Sequence, residues 1–325
     1  MVEKIVFDLT LRAESPLAVS PIDSELKKND RIRRLPRVRP EESAPVYFPS
    51  GTLRRALRHH AVLCLLEGGP SISLAALLVN AKGHVCLPDK PDKSVTPSRA
   101  STLKGWEEEQ RIRRLNPLLD LFGAGIGFPG TLSVGHAWPP PADNPGKCVG
   151  IVGGGTRTPL DPDEVGLLSE PEEYFDFLER LKSASKKKSA KAKEESSPET
   201  DDKDETLQLQ TIVPGHEVIV PGTELSWRIA LSRATPAKIG LVLAAFRKLS
   251  EDPVVGAHKA NGDGLFSLSG SAVMNRQSVG TIRLSEREFF VDGVLGESLD
   301  AWDALQRDGF RDFDFSAVPL AEERP

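Results

Sequence analysis

The chain has few cysteines, and none of them lie close together. Cys64, Cys86 and Cys148 form no C-x-x-C pair, which argues against a zinc ribbon and against a disulfide framework. The six histidines show no H-E-x-x-H or comparable ligand spacing. The glycine-rich stretches also lack a G-x-G-x-x-G that follows a strand. These absences predict a protein without a metal site, without a dinucleotide-binding fold and without a cofactor.

Long apolar runs are absent as well. No stretch of about 18 uncharged apolar residues occurs, so no membrane-spanning helix is predicted. The chain opens directly on a strand pattern, Met1-Val2-Glu3-Lys4-Ile5, without the pattern of a signal peptide. We therefore expect a cytoplasmic protein. Its 325 residues suffice for one large domain with insertions, or for two domains.

Positive charge is not in excess overall, but it is concentrated locally. The net charge of -5 argues against a wholly basic nucleic-acid-binding protein. Between Lys27 and Arg58, however, the chain has ten Lys or Arg and only three Asp or Glu. Most of these cations are arginines, whose planar guanidinium groups suit phosphate. The patch favours binding to an RNA or DNA backbone over the alternative, a positive face that is merely solvated.

The stretch from Pro49 to Arg58 reads P-S-G-T-L-R-R-A-L-R and predicts a tight turn that enters a helix. The first turn of a helix presents unpaired N–H groups and the positive end of the helix dipole, which together suit a phosphate. The alternative is that Ser50 or Thr52 only caps a helix whose arginines are solvated. If a phosphate binds here, the candidate residues are Ser50, Gly51, Thr52, Arg54, Arg55 and Arg58.

The spacing of apolar residues in the rest of the chain predicts short strands and two long helices. Residues 2–13 alternate apolar and polar side chains, which predicts a half-buried strand. Helices are expected at about 51–67 and 237–250, and a short helix after Asn116-Pro117 that ends at the glycines of 123–130. Residues 183–206 contain no aromatic or large aliphatic side chain, which predicts disorder. Further strands are expected at 46–48, 131–138, 147–153, within 207–231, and at 265–273, 281–284 and 288–291.

Four motifs follow one another in the order P-S-G-T-L-R-R-A-L-R, L-F-G-A-G, V-I-V-P-G-T-E-L and V-V-G-A-H-K-A-N-G-D-G-L. This ordered set, over roughly residues 1–275, resembles the RAMP superfamily of CRISPR-associated proteins. Within that superfamily it is most similar to the backbone subunit that polymerises along the guide RNA, in a type IV-like or type III-like form. Two positions depart from the family pattern, namely Ser50 in place of a glycine in the first motif and Ala257 in place of a glycine in the last.

The resemblance implies an α+β fold with a ferredoxin-like (RNA-recognition-motif-like) core in a single domain over residues 1–325. It implies a basic loop at 20–45 and insertions at about 68–115 and 139–206, the second of which would hold a thumb-like hairpin. The implied partners are the guide RNA, a target nucleic acid paired to it, further copies of the chain in a helical filament, and other subunits of a CRISPR effector ribonucleoprotein. The implied RNA-binding residues are those of the Pro49–Arg58 stretch together with Arg31, Arg33, Arg34, Arg37, His258 and Lys259.

Two alternatives would make the chain an endoribonuclease of antiviral defence. In type III relatives an aspartate of the loop before the first helix cuts target RNA, and Asp23 and Asp30 lie in that loop, Asp30 being the better match. In guide-processing relatives a histidine acts as acid or base, and His59 and His60 follow the arginines. We nevertheless expect a protein without catalytic residues, because a lone aspartate among arginines commonly balances charge. The remaining alternative is a protein-interaction scaffold that binds no nucleic acid.

Overall fold

The computed structural model describes residues 3–19, 32–69, 72–83, 85–87, 90–95, 105–125, 127–153, 156–157, 211–212 and 215–319. The chain divides into a larger compact unit, Met1–Leu26, Arg34–Gly150 and Glu217–Pro325, and a smaller one, Lys27–Arg33 and Ile151–His216. The predicted disordered segment at 183–206 lies outside the described residues, as do residues 20–31 of the basic loop with Asp23, Asp30 and Arg31.

A six-stranded antiparallel sheet is the centre of the larger unit. In chain order the strands are β1 (Lys4–Ala13), β2 (Ile32–Arg33), β3 (Val85–Leu87), β4 (Lys90–Val95), β5 (Leu132–Trp138), β6 (Val149–Val152), β7 (Thr156–Arg157), β8 (Thr211–Ile212), β9 (Gly215–Ile219), β10 (Glu224–Ser232), β11 (Phe266–Met274), β12 (Gln277–Ser285) and β13 (Glu288–Val291). The large sheet has the order β13-β12-β11-β1-β10-β5, and every neighbouring pair in it is antiparallel.

Strand β1 lies between β10 and β11 and shows why one face of the sheet is buried. Ile5, Phe7, Leu9 and Leu11 are buried, whereas the intervening Lys4, Asp8 and Arg12 are exposed. Because side chains of a strand alternate between its two faces, the apolar residues all point into the core. The strand predicted at residues 2–13 is thus confirmed.

The helices are α1 (Ser50–Glu67), α2 (Leu74–Lys82), α3 (Trp106–Leu115), α4 (Pro117–Phe122), α5 (Pro236–Ser250) and α6 (Gly293–Arg307). Helix α4 begins where the side chain of Asn116 accepts a hydrogen bond from the N–H of Leu119, and α5 begins in the same way at Thr235. A proline follows each of these caps at the first helical position, where its missing N–H costs nothing.

Helices α1 and α5 share one core with the buried face of the sheet. Leu57 of α1, Phe246 of α5 and Trp227 of β10 are buried in that core, and the rings of Trp227 and Phe246 are 6.0 Å apart. Helix α6 crosses α5 closely, because a Cβ at Gly240 would overlap the carbonyl oxygen of Ser298. The α+β class predicted from the sequence is confirmed.

Several elements differ from the sequence prediction. The expected strand at 46–48 forms only isolated bridges, in which Val46 pairs with Arg37 and Phe48 with Ala137. Helix α3 and helix α6 are not among the helices predicted from the sequence. Within the part of the chain that is described, no helix has the length and apolarity to cross a membrane.

The other described strands form two pairs and a three-stranded sheet of order β2-β9-β6. Strand β3 pairs with β4, and β7 pairs with β8, both antiparallel. In the smaller unit β2 runs parallel to the start of β9, with Ile32 opposite Gly215 and Arg33 opposite His216.

Candidate nucleic-acid interface

The first, second and last of the four sequence motifs come together around the N-terminal turn of α1. Arg54 of α1 donates hydrogen bonds to the carbonyls of Phe122, at 2.7 Å, and Leu132, at 2.5 Å, which flank the glycines of 123–130. On the other side, Gly256 of the last motif lies so close to Ala18 and Phe48 that a Cβ would overlap the carbonyl oxygen of Ala18. With a φ of +95°, Gly256 also adopts a conformation that favours glycine.

The first turn of α1 has few partners of its own. Pro49 is the N-cap residue, and neither Ser50 nor Thr52 caps the helix with its side chain. The N–H of Ser50 donates to Nδ1 of His136 at 2.9 Å, and the N–H of Leu53 to the carbonyl of Pro49 at 3.3 Å. For Gly51 and Thr52, the geometry of a helix start supplies no intrahelical acceptor. The turn contains no acidic residue, and a Cβ at the exposed Gly51 would meet nothing within 4 Å.

Arg54 and Arg58 point into the protein. Arg58 is only 9% exposed, and its guanidinium donates to the carbonyls of Asn80, at 2.6 Å, and Val79, at 2.7 Å. Burial, and secondarily the charge of Arg54, lowers the pKa of Arg58 to about 10. Burial also lowers the pKa of Arg54. The resemblance implies that both arginines contact RNA, but their long side chains instead reach carbonyls in the last turns of α2 and α4 and at the start of β5.

Arg55 is the member of the arginine trio that faces solvent. It is exposed, and its guanidinium makes no ion pair or hydrogen bond with any residue that the structure describes. Gly51 and His59 are exposed too and lie one turn before and one turn after Arg55. Residues four apart share one face of a helix, so these three form a continuous solvent-facing stripe on α1.

His60 belongs to a different face of the helix. Its Nδ1 lies 2.8 Å from the carbonyl oxygen of Ala56, and its ring meets that of His59 edge-on at 5.2 Å between centroids. The pKa of His60 is lowered, mainly by burial, and the charges of Lys259 and Asp252 also act on it. Lys259 of the last motif therefore lies near the third turn of α1, where His60 is located.

The loop arginines are partly engaged in ion pairs. Arg37 is paired with Glu217 through two hydrogen bonds of 2.6 and 3.0 Å, and both side chains are nearly buried. Arg34 pairs with Glu42 at 2.6 Å on the surface. Arg33 is half-buried in β2 of the smaller unit. The structure thus gives Arg37 a structural role beside β9.

His258 and Lys259 lie at the start of a short 3-10 helix, Lys259–Asn261. His258 has a φ of +58°, and Lys259 is exposed while its ammonium donates to the carbonyl of Val254 at 2.7 Å. The ammonium of Lys259 therefore braces the glycine-rich loop and remains accessible to solvent.

An exposed group of aromatic rings lies beside the turn and is not predicted from the sequence. Tyr47 lies 4.4 Å from His136 and 5.2 Å from Trp138, measured between ring centroids, and His136 lies 6.0 Å from Trp138. We call these three residues the aromatic cluster. His136 and Trp138 are two residues apart on the edge strand β5, which puts them on one face. That spacing is the available signal, but the contact with Tyr47 depends on the tertiary fold.

No protein-family model matches this chain, and no curated protein is significantly similar to it.

Proposed function

We propose that the chain is a RAMP-type, guide-RNA-binding backbone subunit that holds single-stranded RNA by its phosphates. The strand order supports this proposal. The elements β1, α1, β5, β10, α5 and β11 follow one another as in a βαββαβ unit, and the four strands neighbour each other as β11-β1-β10-β5. This is the order of a ferredoxin-like core, to which β12 and β13 add an edge hairpin.

The observation that carries the proposal is the first turn of α1, which contains no acidic residue and begins the exposed stripe of Gly51, Arg55 and His59. The first, second and last motifs meet at this turn. The N–H groups of Gly51 and Thr52 and the helix dipole favour an anion there. Arg55 adds a full positive charge one turn further along the same stripe. A surface of this kind binds phosphate and does not read bases, as a scaffold for guides of any sequence requires.

Arg54 and Arg58 take a supporting role in this proposal. Their guanidinium groups tie α1 to the carbonyls of Phe122, Leu132, Val79 and Asn80. They thereby fix the position of the turn that would hold the phosphate. The direct contacts then fall to Gly51, Thr52 and Arg55, with Lys259 on the neighbouring loop.

The remaining parts of the proposal concern assembly. The antiparallel pair β7 and β8 brackets residues 158–210 and would form the base of a thumb-like hairpin. Successive copies would bind side by side along one guide through a head-to-tail contact, which gives an open filament. Target recognition would come from base pairing to the guide, in a cytoplasmic complex with other effector subunits.

We propose no catalytic residue in the chain. Of the two histidines of the processing alternative, His60 gains no support, because its Nδ1 is engaged with the carbonyl of Ala56 and burial favours its neutral form. His59 is exposed on the stripe, and a cleavage assay with His59→Ala is the test of that alternative. Asp23 and Asp30, on which the other cleavage alternative depends, lie outside the described residues.

A gel-shift series with labelled single-stranded RNAs of increasing length tests the proposal. The wild type should give more shifted bands as the RNA lengthens, and the bands should weaken steeply with salt. Gly51→Asp should abolish these bands because a carboxylate in the turn repels phosphate. Loss of binding would not reflect unfolding, because an acidic residue at a helix start stabilises the helix by about 0.3–1 kcal/mol.

Ala237→Asp is the matched control, since it adds the same charge to the first turn of α5. We expect it to bind RNA as the wild type does. A wild-type chain that shifts no RNA at low salt would leave the protein-interaction scaffold as the better account.

A further inference from the structure

The aromatic cluster borders a shallow apolar groove on the edge of the large sheet. The groove has a volume of about 640 Å³ and is lined by Trp138, by Pro139, Pro140 and Pro141 that follow it, and by Val38. Trp138 is 38% exposed and Val38 is 55% exposed. The indole contacts the rings of Tyr47 and His136, while part of its surface is open to a ligand.

The groove offers little means of reading a ligand by hydrogen bonds. Its amide side chain, Asn144, is spent on the main chain of Val46, because its Oδ1 accepts from the N–H and its Nδ2 donates to the carbonyl, each at 2.8 Å. Ser226 also lines the groove and offers one hydroxyl group. A flat ring that enters the groove would therefore be held mainly by stacking and apolar contact. Such binding tolerates any base, because every base has a π-face.

The surroundings of Trp138 are polar on the open face of the sheet. Trp138 lies opposite Ser226 of β10, which lies opposite Thr10 of β1, which in turn lies opposite Ser269 of β11. Arg283 of β12 continues this row. Trp138 is the large ring in a row that otherwise consists of hydroxyl groups and one arginine. Such a surface suits a ligand that carries flat bases on a polar backbone. It suits a protein partner less well, because the core of a protein interface is mostly apolar.

The cluster is also joined to the phosphate-binding turn proposed above. His136 accepts the hydrogen bond from the N–H of Ser50 at 2.9 Å. The ring of Tyr47 lies nearer to His136 and to Trp138 than these two rings lie to each other, so Tyr47 connects His136 to Trp138. A nucleotide whose phosphate lies at Gly51 would therefore have its base next to the aromatic cluster.

From this arrangement we propose that Trp138, backed by Tyr47 and His136, is a stacking site for one unpaired base of bound single-stranded RNA. The inference rests on the proposed function, because it places the base of the same nucleotide chain whose phosphates α1 would hold. The site contributes affinity without base preference.

The test compares a labelled uridine oligomer with an abasic ribose-phosphate oligomer of the same length, using the full chain and fluorescence anisotropy. The wild type should bind the uridine oligomer about tenfold more tightly, as expected for stacking of a base on an aromatic side chain. Trp138→Leu should remove most of that difference, and Trp138→Phe should restore it. Phe290→Ala is the matched control, because Phe290 is an exposed ring, 52% accessible, on β13 at the opposite edge of the sheet.

The outcomes separate the two proposals. If the wild type binds both oligomers equally well, the stacking site is overturned while the phosphate-binding function stands. The stacking site is likewise overturned if Trp138→Leu retains the preference for uridine. If the wild type binds neither oligomer, the proposed function fails and the stacking site fails with it. A preference that falls in Trp138→Leu and persists in Phe290→Ala establishes the site.

Discussion

The main-chain N–H of Ser50 donates a hydrogen bond to Nδ1 of His136 across 2.9 Å. This bond joins the first turn of α1 to the edge strand β5, although the two residues are 86 positions apart in the chain. It requires an unprotonated Nδ1, and it directs the imidazole toward Tyr47 and Trp138. The proposed phosphate site and the aromatic cluster are consequently parts of one surface.

Removal of the buried arginine should destabilise the protein without a direct effect on RNA contacts. Arg58→Ala removes the guanidinium donor from the carbonyls of Val79 and Asn80, of which Val79 keeps the N–H of Gly83. It also opens a cavity beside Phe122, whose ring lies 5.9 Å from the guanidinium carbon. We expect a loss of about 2–4 kcal/mol in the free energy of unfolding, measured by urea denaturation. Arg55→Ala should change it by less than about 0.5 kcal/mol. Equal losses of stability in the two variants would contradict a buried, structural Arg58 and a solvent-facing Arg55.

The buried carboxylate of Asp120 should be among the most sensitive positions. It is 3% exposed and contacts Arg113 at 2.8 Å, Arg233 at 3.4 Å and the ammonium of Lys238. Asp120→Asn removes a carboxylate shared by three cations, of which Arg113 keeps its pair with Glu109 and Arg233 is half-exposed, so we predict a loss of about 3 kcal/mol. Asp303→Asn, which breaks a half-exposed pair with Arg247, should cost at most about 1 kcal/mol. Equal melting temperatures of the two variants in thermal denaturation would contradict this ranking.

Two glycines of the site should respond in opposite ways to alanine. Gly256→Ala combines a φ of +95° with a clash against the carbonyl of Ala18, so we expect it to lose about 2 kcal/mol or more. Gly51→Ala places its methyl group in open space at the start of a helix, where alanine is the better helix former by up to about 1 kcal/mol. Urea midpoints measure both effects. Destabilisation by Gly51→Ala would show that the turn is more crowded than the structure indicates.

The protonation of His60 should couple to folding. Its pKa is lowered in the folded state, mainly by burial, so the folded protein resists a proton that the unfolded chain accepts. The contribution of His60 to stability is therefore present above its unfolded pKa of about 6.5 and is lost as the pH falls below that value. His60→Gln should flatten the pH dependence of the urea midpoint between neutral and mildly acidic pH. If the urea midpoint of His60→Gln depended on pH as steeply as that of the wild type, the lowered pKa of His60 would be contradicted.

Much of the scaffold is predictable because it depends on local patterns. The alternation of Ile5, Phe7, Leu9 and Leu11 predicts β1, and the spacing of apolar residues predicts α1 and α5. Helix α6 is not among the predicted elements, although Leu295, Leu299 and Trp302 recur at helical intervals and are buried. Glycines and polar residues are interspersed at its start, and they weaken the helical pattern there.

The details of the site are less predictable because they depend on tertiary contacts. The sequence indicates that the three motifs belong together, and they do surround the first turn of α1. The sequence does not show that Arg55 faces solvent while Arg58 is buried. The guanidinium of Arg58 donates to carbonyls of α2, which lies some 20 residues later in the chain. Tyr47 is likewise far in the chain from His136 and Trp138, so local periodicity carries no trace of its contact with them.

The salt dependence of RNA binding by Arg55→Ala tests the central claim most directly. Anisotropy titrations of a labelled single-stranded RNA would be made at several salt concentrations with the wild type, Arg55→Ala and Arg114→Ala, the last being a matched exposed helical arginine on α3. We predict that Arg55→Ala binds about tenfold more weakly at low salt and that its log–log salt slope falls by about 1 per bound copy, while Arg114→Ala matches the wild type. If Arg55→Ala and Arg114→Ala behave alike, the N-terminal turn of α1 does not bind the RNA backbone.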